Sequence, residues 1–422
     1  MVKENAMQQT EIGLLPEDWT VKIIAELITE ISMGPFGSDI KVSNFVNKGV
    51  PVLNGYNISD IRLKSRHSNF VTTEKAKSLK KAIAKRGDVV VTHRGTIGQI
   101  AYIPNNSDYK EYVISQSQFR FSLNQKKAKP EFLVYFFHSS KGQQIIEETK
   151  GHTGVPAIAQ ATTTFKKIAV PLPPLPEQEA IAEALSDADV WIESLEQLIA
   201  KKRLIKQGAM QELLTAKEDW EVKKLGDLTK IFTKQTGFDY SAYIKPSLVR
   251  IKTDETIPFI QNKDFKNKWI NLNTDYFIPK SIAQNFSKIL LDEKSLLVSI
   301  SGSVGNVGVY DLPDLAFIGG AVAILKFKNP LLIDWVSVYL QSDAGQTKLL
   351  NNVKSGSHQN LILDDIRKIE ILFPSYAEQT RIATILSDMD AELEALAAQL
   401  EKARKIKHGM MQELLTGKIR LV

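Results

Sequence analysis

Cysteine is absent from all 422 residues, which excludes a disulfide frame and any thiolate metal site. No apolar run reaches the roughly 18 residues that a membrane-spanning helix requires. The opening stretch, MVKENAMQQTEIGLLPEDW, lacks the apolar core of a signal peptide. These absences point to a soluble protein of the cytoplasm. The six histidines (His67, His93, His138, His152, His358 and His408) show neither HxxxH nor HxH spacing, so no metal site is expected. Cofactor motifs are missing too: there is no GxxxxGK[ST] loop, and SGSVGNVG has the wrong glycine spacing for a dinucleotide turn. The Asn-Pro at Asn329 runs on into Leu-Leu, not into the Pro-aromatic pair of an amino-methyltransferase. Glu147 opens an EETK stretch with no convincing upstream aspartate, which reads as a solvated helix end. Catalysis and bound cofactors are therefore not expected of this chain.

What is present is a mild basic excess and a duplication. A net charge of +6 and a pI near 9.0 modestly favour a polyanionic partner, since cations displace phosphate counterions. Sliding the sequence by 201 residues lays EQEAIAEALSDADVWIESLEQLIAKKRLIKQGAMQELLTAK from Glu177 over EQTRIATILSDMDAELEALAAQLEKARKIKHGMMQELLTGK from Glu378. About half the positions are identical, without a gap. EDWTV at Glu17 recurs as EDWEV at Glu218 under the same shift. Fainter matches continue through the intervening segments: PVLNGYNI with PFIQNKDF, VVVTHRGTIG with LLVSISGSVG, and HSSKGQ with QSDAGQ. The chain is one unit written twice, with diverged fronts and well-matched backs. Like backs imply one shared task, and unlike fronts imply related tasks on different targets.

Each back reads as a long helix. Ile181, Leu185, Ala188, Ile192, Leu195 and Ile199 step by alternating fours and threes, as do Ile382, Leu386, Met389, Leu393, Leu396 and Leu400. The prolines of PLPPLPEQ are expected to end any preceding strand or helix. A helix of about 38 residues would extend about 57 Å and carry more seam than a small domain covers. The expected partner is the other copy, antiparallel, with the apolar MQELLT ends left over for other subunits. The fold class is thus α+β: two α/β fronts with mixed or antiparallel sheets, joined by two long antiparallel coiled-coil helices in a pseudo-twofold internal repeat. The boundaries are 1–170 for the first front, 171–216 for its helix, 217–373 for the second front and 374–422 for its helix.

The fronts carry polar residues on Gly-punctuated loops after β-branched runs. Asn and Gln can pair bidentately with adenine, Arg and Lys with guanine, while nearby cations position phosphates. In the first front the candidate DNA contacts are Ser38 and Lys41 of GPFGSDIK, Asn54, Tyr56 and Asn57 of NGYN, and Arg62 and Lys64. His93, Arg94 and Thr96 around RGTIG, with Gln116 and Gln118, complete that set. In the second front they are Gln261, Asn262, Lys263 and Lys268, then Ser301, Ser303 and Asn306 around SGSVG, then His358, Gln359 and Asn360.

With PLPPLPEQEAIAEALSDAD from Pro171, QELLT at both helix ends, GPFGSDIK at Gly34 and RGTIG at Arg94, the chain resembles the DNA-specificity subunits of type I restriction–modification systems over its full length. The second copy departs from the proline-rich entry, reading FPSYAEQ at Phe373. The resemblance implies two target-recognition domains, each reading half of a split asymmetric site in double-stranded DNA, the first domain taking the 5′ half. The helices would hold the half-sites apart and dock two modification (methyltransferase) subunits, to which motor and nuclease subunits can add. S-adenosylmethionine, ATP and Mg²⁺ would belong to those partners. The alternative is a coiled-coil adaptor that binds only proteins.

Overall fold

The computed structural model describes residues 6–150, 157–215, 217–266, 269–351 and 360–421. Two compact units result: Met1–Glu196 with Ala398–Val422, and Gln197–Ala397. Among the described residues no helix is long and apolar enough to cross a membrane.

The first unit is built on an antiparallel sheet of β1 (Ile28–Met33), β2 (Val89–Thr92), β3 (Ile100–Tyr102) and β4 (Gln118–Leu123), in the order β3-β2-β4-β1. Val89 and Val91 enter one core, whereas Val90 and Ala101 enter another on the opposite face. Burial on both sides explains why GDVVVT is continuously apolar and does not alternate. The second unit repeats the plan with β5 (Thr229–Lys234), β6 (Phe265–Lys266), β7 (Trp269–Ile270), β8 (Ser295–Ser299), β9 (Val307–Tyr310) and β10 (Val322–Phe327). Their order is β5-β10-β8-β9-β7-β6, antiparallel except where β7 lies parallel to β9. Leu296 and Val298 fill one core and Leu297 the other, mirroring the three valines of β2.

Each unit also carries two short helices in succession. Pro130–His138 gives way to Ser140–Glu148, and Ile333–Gln341 to Asp343–Leu350. The break falls at Ser139 and Ser342, at φ −71° and −72° with ψ 161° in both, and both accept a hydrogen bond from the glycine nitrogen three residues on, at 3.2 Å. A serine that caps the next helix must leave the previous one. A Cβ on Gly142 or Gly345 would collide with the carbonyl oxygen of Phe136 or Tyr339. HSSKGQ and QSDAGQ are thus the residues of a helical corner.

The long helices run Leu175–Leu213 and Tyr376–Leu414, 39 residues each. Their antiparallel pairing is visible within each unit. In the first, Asp189 meets Lys407 and Glu196 meets Arg404 at 2.5 Å; in the second, Lys206 meets Asp390 and Lys202 meets Glu392 at 2.6 Å. The Asp189–Lys407 and Lys206–Asp390 pairs exchange under the 201-residue shift. Seam residues Ile181 and Leu185 are buried in the first unit's core, and Ile382 and Leu386 in the second's. Leu195 and Ile199 are buried further along, while Ile192, Met389, Leu393, Leu396 and Leu400 are only partly covered.

One expectation is corrected here and another narrowed. The apolar helix ends are not left over: Leu414 and Leu415 are buried in the first unit's core, with Met410 and Met411 packed on it. Met210, Leu213 and Leu214 pack likewise on the second unit's core. Pro171 does not stop the strand, which ends at Leu172, before the Pro173–Pro174 pair. Ala169–Leu172 pairs with Thr20–Ile23, placing Pro171 opposite Val21 in a two-stranded ribbon, where a missing N–H is tolerated on the open edge. The proline-poor second entry keeps the geometry, since Gln178 and Gln379 each donate to the proline carbonyl five residues back, Pro173 and Pro374, at 2.8 Å.

Glu177, at the start of the first helix, has a fully buried side chain. The Trp19 indole donates to it at 3.0 Å, and the Arg420 guanidinium reaches it at 2.7 Å while also gripping Asp18 at 2.6 and 2.8 Å. Arg420 holds the Asp18 carboxyl below its ordinary range by hydrogen bonding. Breaking a buried pair strands its partner's charge, so Arg420→Ala should lower the unfolding free energy in urea by about 3–5 kcal/mol. A loss under about 1 kcal/mol would place the pair in the class of exposed bridges and refute the clamp.

Candidate nucleic-acid interface

At the strand ends where β2 leads to β3 and β8 leads to β9, the chain turns on glycines in the left-handed backbone region that other residues rarely adopt. In RGTIG, Gly95 and Gly98 have φ of +88° and +87°; in SGSVG, Gly302 and Gly305 have +78° and +89°. The flanking backbone is pinned in the same way in both copies, by a bridge from Arg94 to Ala157 and from Ser301 to Asn360. The scaffold of the turn is therefore duplicated while its side chains differ.

In the first unit, Ser38, Lys41, Arg94, Thr96 and Gln116 are exposed. His93 lies beside them: its backbone nitrogen donates to Ser117 at 2.9 Å and its Nε2 is 3.3 Å from the Gln116 carbonyl. Desolvation pulls the His93 pKa below its ordinary value, so the ring is neutral at neutral pH. Gln116 also abuts the GPFGSDIK loop, since a Cβ on Gly37 would sit 2.5 Å from its Oε1. These groups form one patch.

Other candidates are committed elsewhere. Asn57 is fully buried and braces its own turn, accepting from Asn54 at 3.0 Å and donating to Lys64 and Arg66 carbonyls at 3.2 and 2.8 Å. The side-chain oxygen of Asn54 accepts from the Tyr56 nitrogen at 2.9 Å, leaving the Tyr56 ring exposed with the Lys64 ammonium 5.2 Å from its centroid. Lys64 also bonds Ser59 at 3.0 Å and faces Asp60 at 3.7 Å. Arg62 is half-buried and donates to Ser186 of the first long helix. Gln118 is buried, its Oε1 accepting from the Ser115 nitrogen at 2.9 Å.

In the second unit, Asn262 ties the turns together. Its amide nitrogen donates to the Ser301 and Ser303 carbonyls at 2.7 and 2.9 Å, and its oxygen accepts from Asn306 at 3.1 Å. Gln261 opens the neighbouring turn, its nitrogen donating to Asp264 at 2.7 Å, and Lys263 pairs with Asp275. Ser301, Asn360, Lys234, Gly320 and Arg367 line an open cavity of about 560 Å³. Lys268, His358 and Gln359 lie outside the described residues.

Buried polar atoms without hydrogen-bond partners mark the same edges. Thr92 Oγ1, Gln99 Oε1 and Gln118 Nε2 have none among the described residues, nor has either amide atom of Gln235. Gln118 is in register with Thr92, whose nitrogen bonds the Gln99 carbonyl at 2.9 Å, so the three form a row across adjacent strands. Gln235 is 4% exposed and follows β5; a Cβ on Gly320 would lie 3.3 Å from its Oε1. Thr92 and Gln99 escaped the sequence reading because each ends or borders an apolar run, and Gln235 because its neighbours Lys234 and Thr236 are polar and give no sign of burial.

The model of the type I restriction modification DNA specificity domain matches this sequence twice, over residues 16–202 and 217–403. The chain belongs to that family. It is similar to the putative type I restriction enzyme MjaX specificity subunit of Methanocaldococcus jannaschii, 27% identical over 99% of this chain and 98% of that protein. The EcoKI specificity subunit of Escherichia coli K12 is 20% identical over 97% of this chain and 90% of its own length. In fold it resembles the crystal structure of a type I restriction–modification S subunit from M. genitalium, with a TM-score of 0.59 at 17% identity over 94% and 96% of the two chains. Within the family, the duplicated specificity domain accounts for the two glycine turns.

An unpaired buried polar group costs about 1–3 kcal/mol. Gln235→Met, which keeps the volume and removes both amide atoms, should accordingly raise the unfolding free energy by an amount in that range. Destabilisation on calorimetry would show that the amide is satisfied in solution.

Proposed function

We propose that this chain reads a split, asymmetric DNA site, one half per specificity domain, and carries the modification subunits of a type I restriction–modification complex to it. The observation that supports this best is the pair of strand-end turns, alike in backbone and unlike in side chain. Arg94, Thr96, His93 and Gln116, with Ser38 and Lys41, form the first reading surface; Ser301, Ser303, Asn306, Asn360 and Lys234, held by Asn262, form the second. Gln118 braces the turn that carries Gln116, Gln261 opens the turn that carries Asn262 and Lys263, Asn54 and Asn57 brace the turn that carries Tyr56, and Arg62 and Lys64 complete the candidate contacts. Arg and Gln suit base edges in the major groove, and Lys suits phosphate.

The chain itself supplies no chemistry in this reading. S-adenosylmethionine, ATP and Mg²⁺ sit on partner subunits, two of which are methyltransferases, in the cytoplasm. Trp191, Leu204, Ile205 and Ile406 remain exposed on the long helices and offer those partners apolar contacts.

Helix length sets the half-site spacing. One added turn of about four residues in each long helix lengthens the pair by about 6 Å, which is worth one or two base pairs at about 3.4 Å each. Methylome sequencing of a host carrying the variant should show that longer spacer; an unchanged one refutes the ruler.

Exchange of residues 218–370 for the matching segment of a relative should alter one half-site alone in the same assay. Changes in both halves would contradict the two-reader plan, and failure of filter-retained DNA at every salt concentration would favour the protein-only adaptor.

A further inference from the structure

We infer that Phe36 and Phe238 are DNA wedges, one in each specificity domain, that insert at a base step beside the polar readers; this rests on the DNA-reading role proposed above. The two fronts share little sequence, yet each places a phenylalanine on the segment leaving the first strand of its sheet: MGPFGSD after β1 and KQTGFDY after β5. Phe36 is 82% exposed and Phe238 is 72% exposed. An apolar ring held in water contributes nothing to either core, and the 201-residue shift sets Phe36 one place from Phe238, so a ring at the same point of both units calls for a ligand.

The backbone beneath each ring is built to hold it out. Gly34 donates to the Gln118 carbonyl at 2.8 Å, and a Cβ there would collide with the Ser115 carbonyl. Asp39 then closes the loop, its carboxylate accepting from the Phe36 nitrogen at 3.2 Å and its nitrogen donating to the Phe36 carbonyl at 2.9 Å. In the second unit, Thr236 caps the turn by accepting from Asp239 at 3.1 Å, and the chain passes into a π-helical turn over Tyr240–Ile244. Such turns are uncommon and concentrate at functional sites. Tyr243, itself exposed, meets the Phe238 ring edge-on at 6.1 Å.

Both rings stand next to the reading turns, Phe36 through the Gly37–Gln116 contact and Phe238 beyond Gln235, which borders Gly320. The charge around them chooses the occupant. Lys41 and Arg94 on the first unit, and Lys234 and Lys245 on the second, are exposed and have no ion pair among the described residues. An apolar protein pocket would not call for cations on the same segments as both rings, Lys41 five residues after Phe36 and Lys234 four before Phe238, whereas DNA supplies phosphates for the cations and a stack for the phenylalanine. Apolar side chains wedged between base pairs unstack the step and kink the duplex.

The test uses the chain assembled with the methyltransferase subunits of its own system, on a cognate duplex carrying 2-aminopurine at successive positions of each half-site. Wild-type complex should brighten one position per half. Phe36→Ala should abolish the signal in one half and Phe238→Ala in the other, each lowering affinity at least about tenfold with the salt dependence unchanged. Phe36→Leu and Phe238→Leu, still apolar wedges, should keep most of both. Alanine variants that bind and brighten like wild type overturn the inference, as does a loss that tracks impaired assembly on gel filtration or a flattened salt slope. If wild type itself fails to bind the duplex, it is the DNA-reading role that falls.

Discussion

Leu414 and Leu415 occupy the same core as Ile181 and Leu185, and Met210, Leu213 and Leu214 pack on the core that holds Ile382 and Leu386. Each unit therefore needs both long helices, the opening turns of its own and the closing turns of the other repeat's. Apolar burial, at about 25 cal/mol per Å², is the main force holding helix to domain. The half-exposed Lys202–Glu392 and Glu196–Arg404 pairs then fix register and direction more than they add stability, since exposed ion pairs contribute little each. With the helices committed at both ends, the sheets are held from one face and their strand ends are free to carry turns.

Much of this was legible in the sequence because duplication made each half a control for the other. The 201-residue shift, the alternating seam and the glycine turns all survive into the structure as a repeated backbone. The seam itself could not say what covers it. The same spacing serves Ile181, sunk in a domain core, and Leu195, buried along the helix pair, because periodicity reports a covered face and not its cover. The helical corners at Ser139 and Ser342 were hidden by the helix-forming residues on either side, with only the serine–glycine spacing to betray them.

The candidate reading edge was legible only in part, for a different reason. Turn glycines announce loops, so Arg94, Thr96, Ser301 and Ser303 could be named from sequence. A polar residue's commitment to its own backbone cannot be seen that way: Asn54, Asn57 and Asn262 have the composition of base readers, yet spend their amides bracing turns. Conversely, Thr92, Gln99 and Gln235 look like ordinary strand-end residues, and only burial without a partner sets them apart. Unsatisfied donors at a binding edge carry a folding cost that a ligand can offset.

The left-handed glycines have a consequence for how such a protein changes over time. Because Gly95, Gly98, Gly302 and Gly305 and the Arg94 and Ser301 bridges shape the turns through main-chain geometry, with Ile97 and Val304 packed on the cores, the exposed Thr96 and Ser303 side chains bear almost none of the folding load. In the reading proposed above, residues such as Thr96 or Ser303 can drift to new identities while the domain stays folded, so that a lineage explores fresh DNA targets at little structural risk. Adaptability is thereby confined to a few letters, on a frame that forbids change everywhere around them.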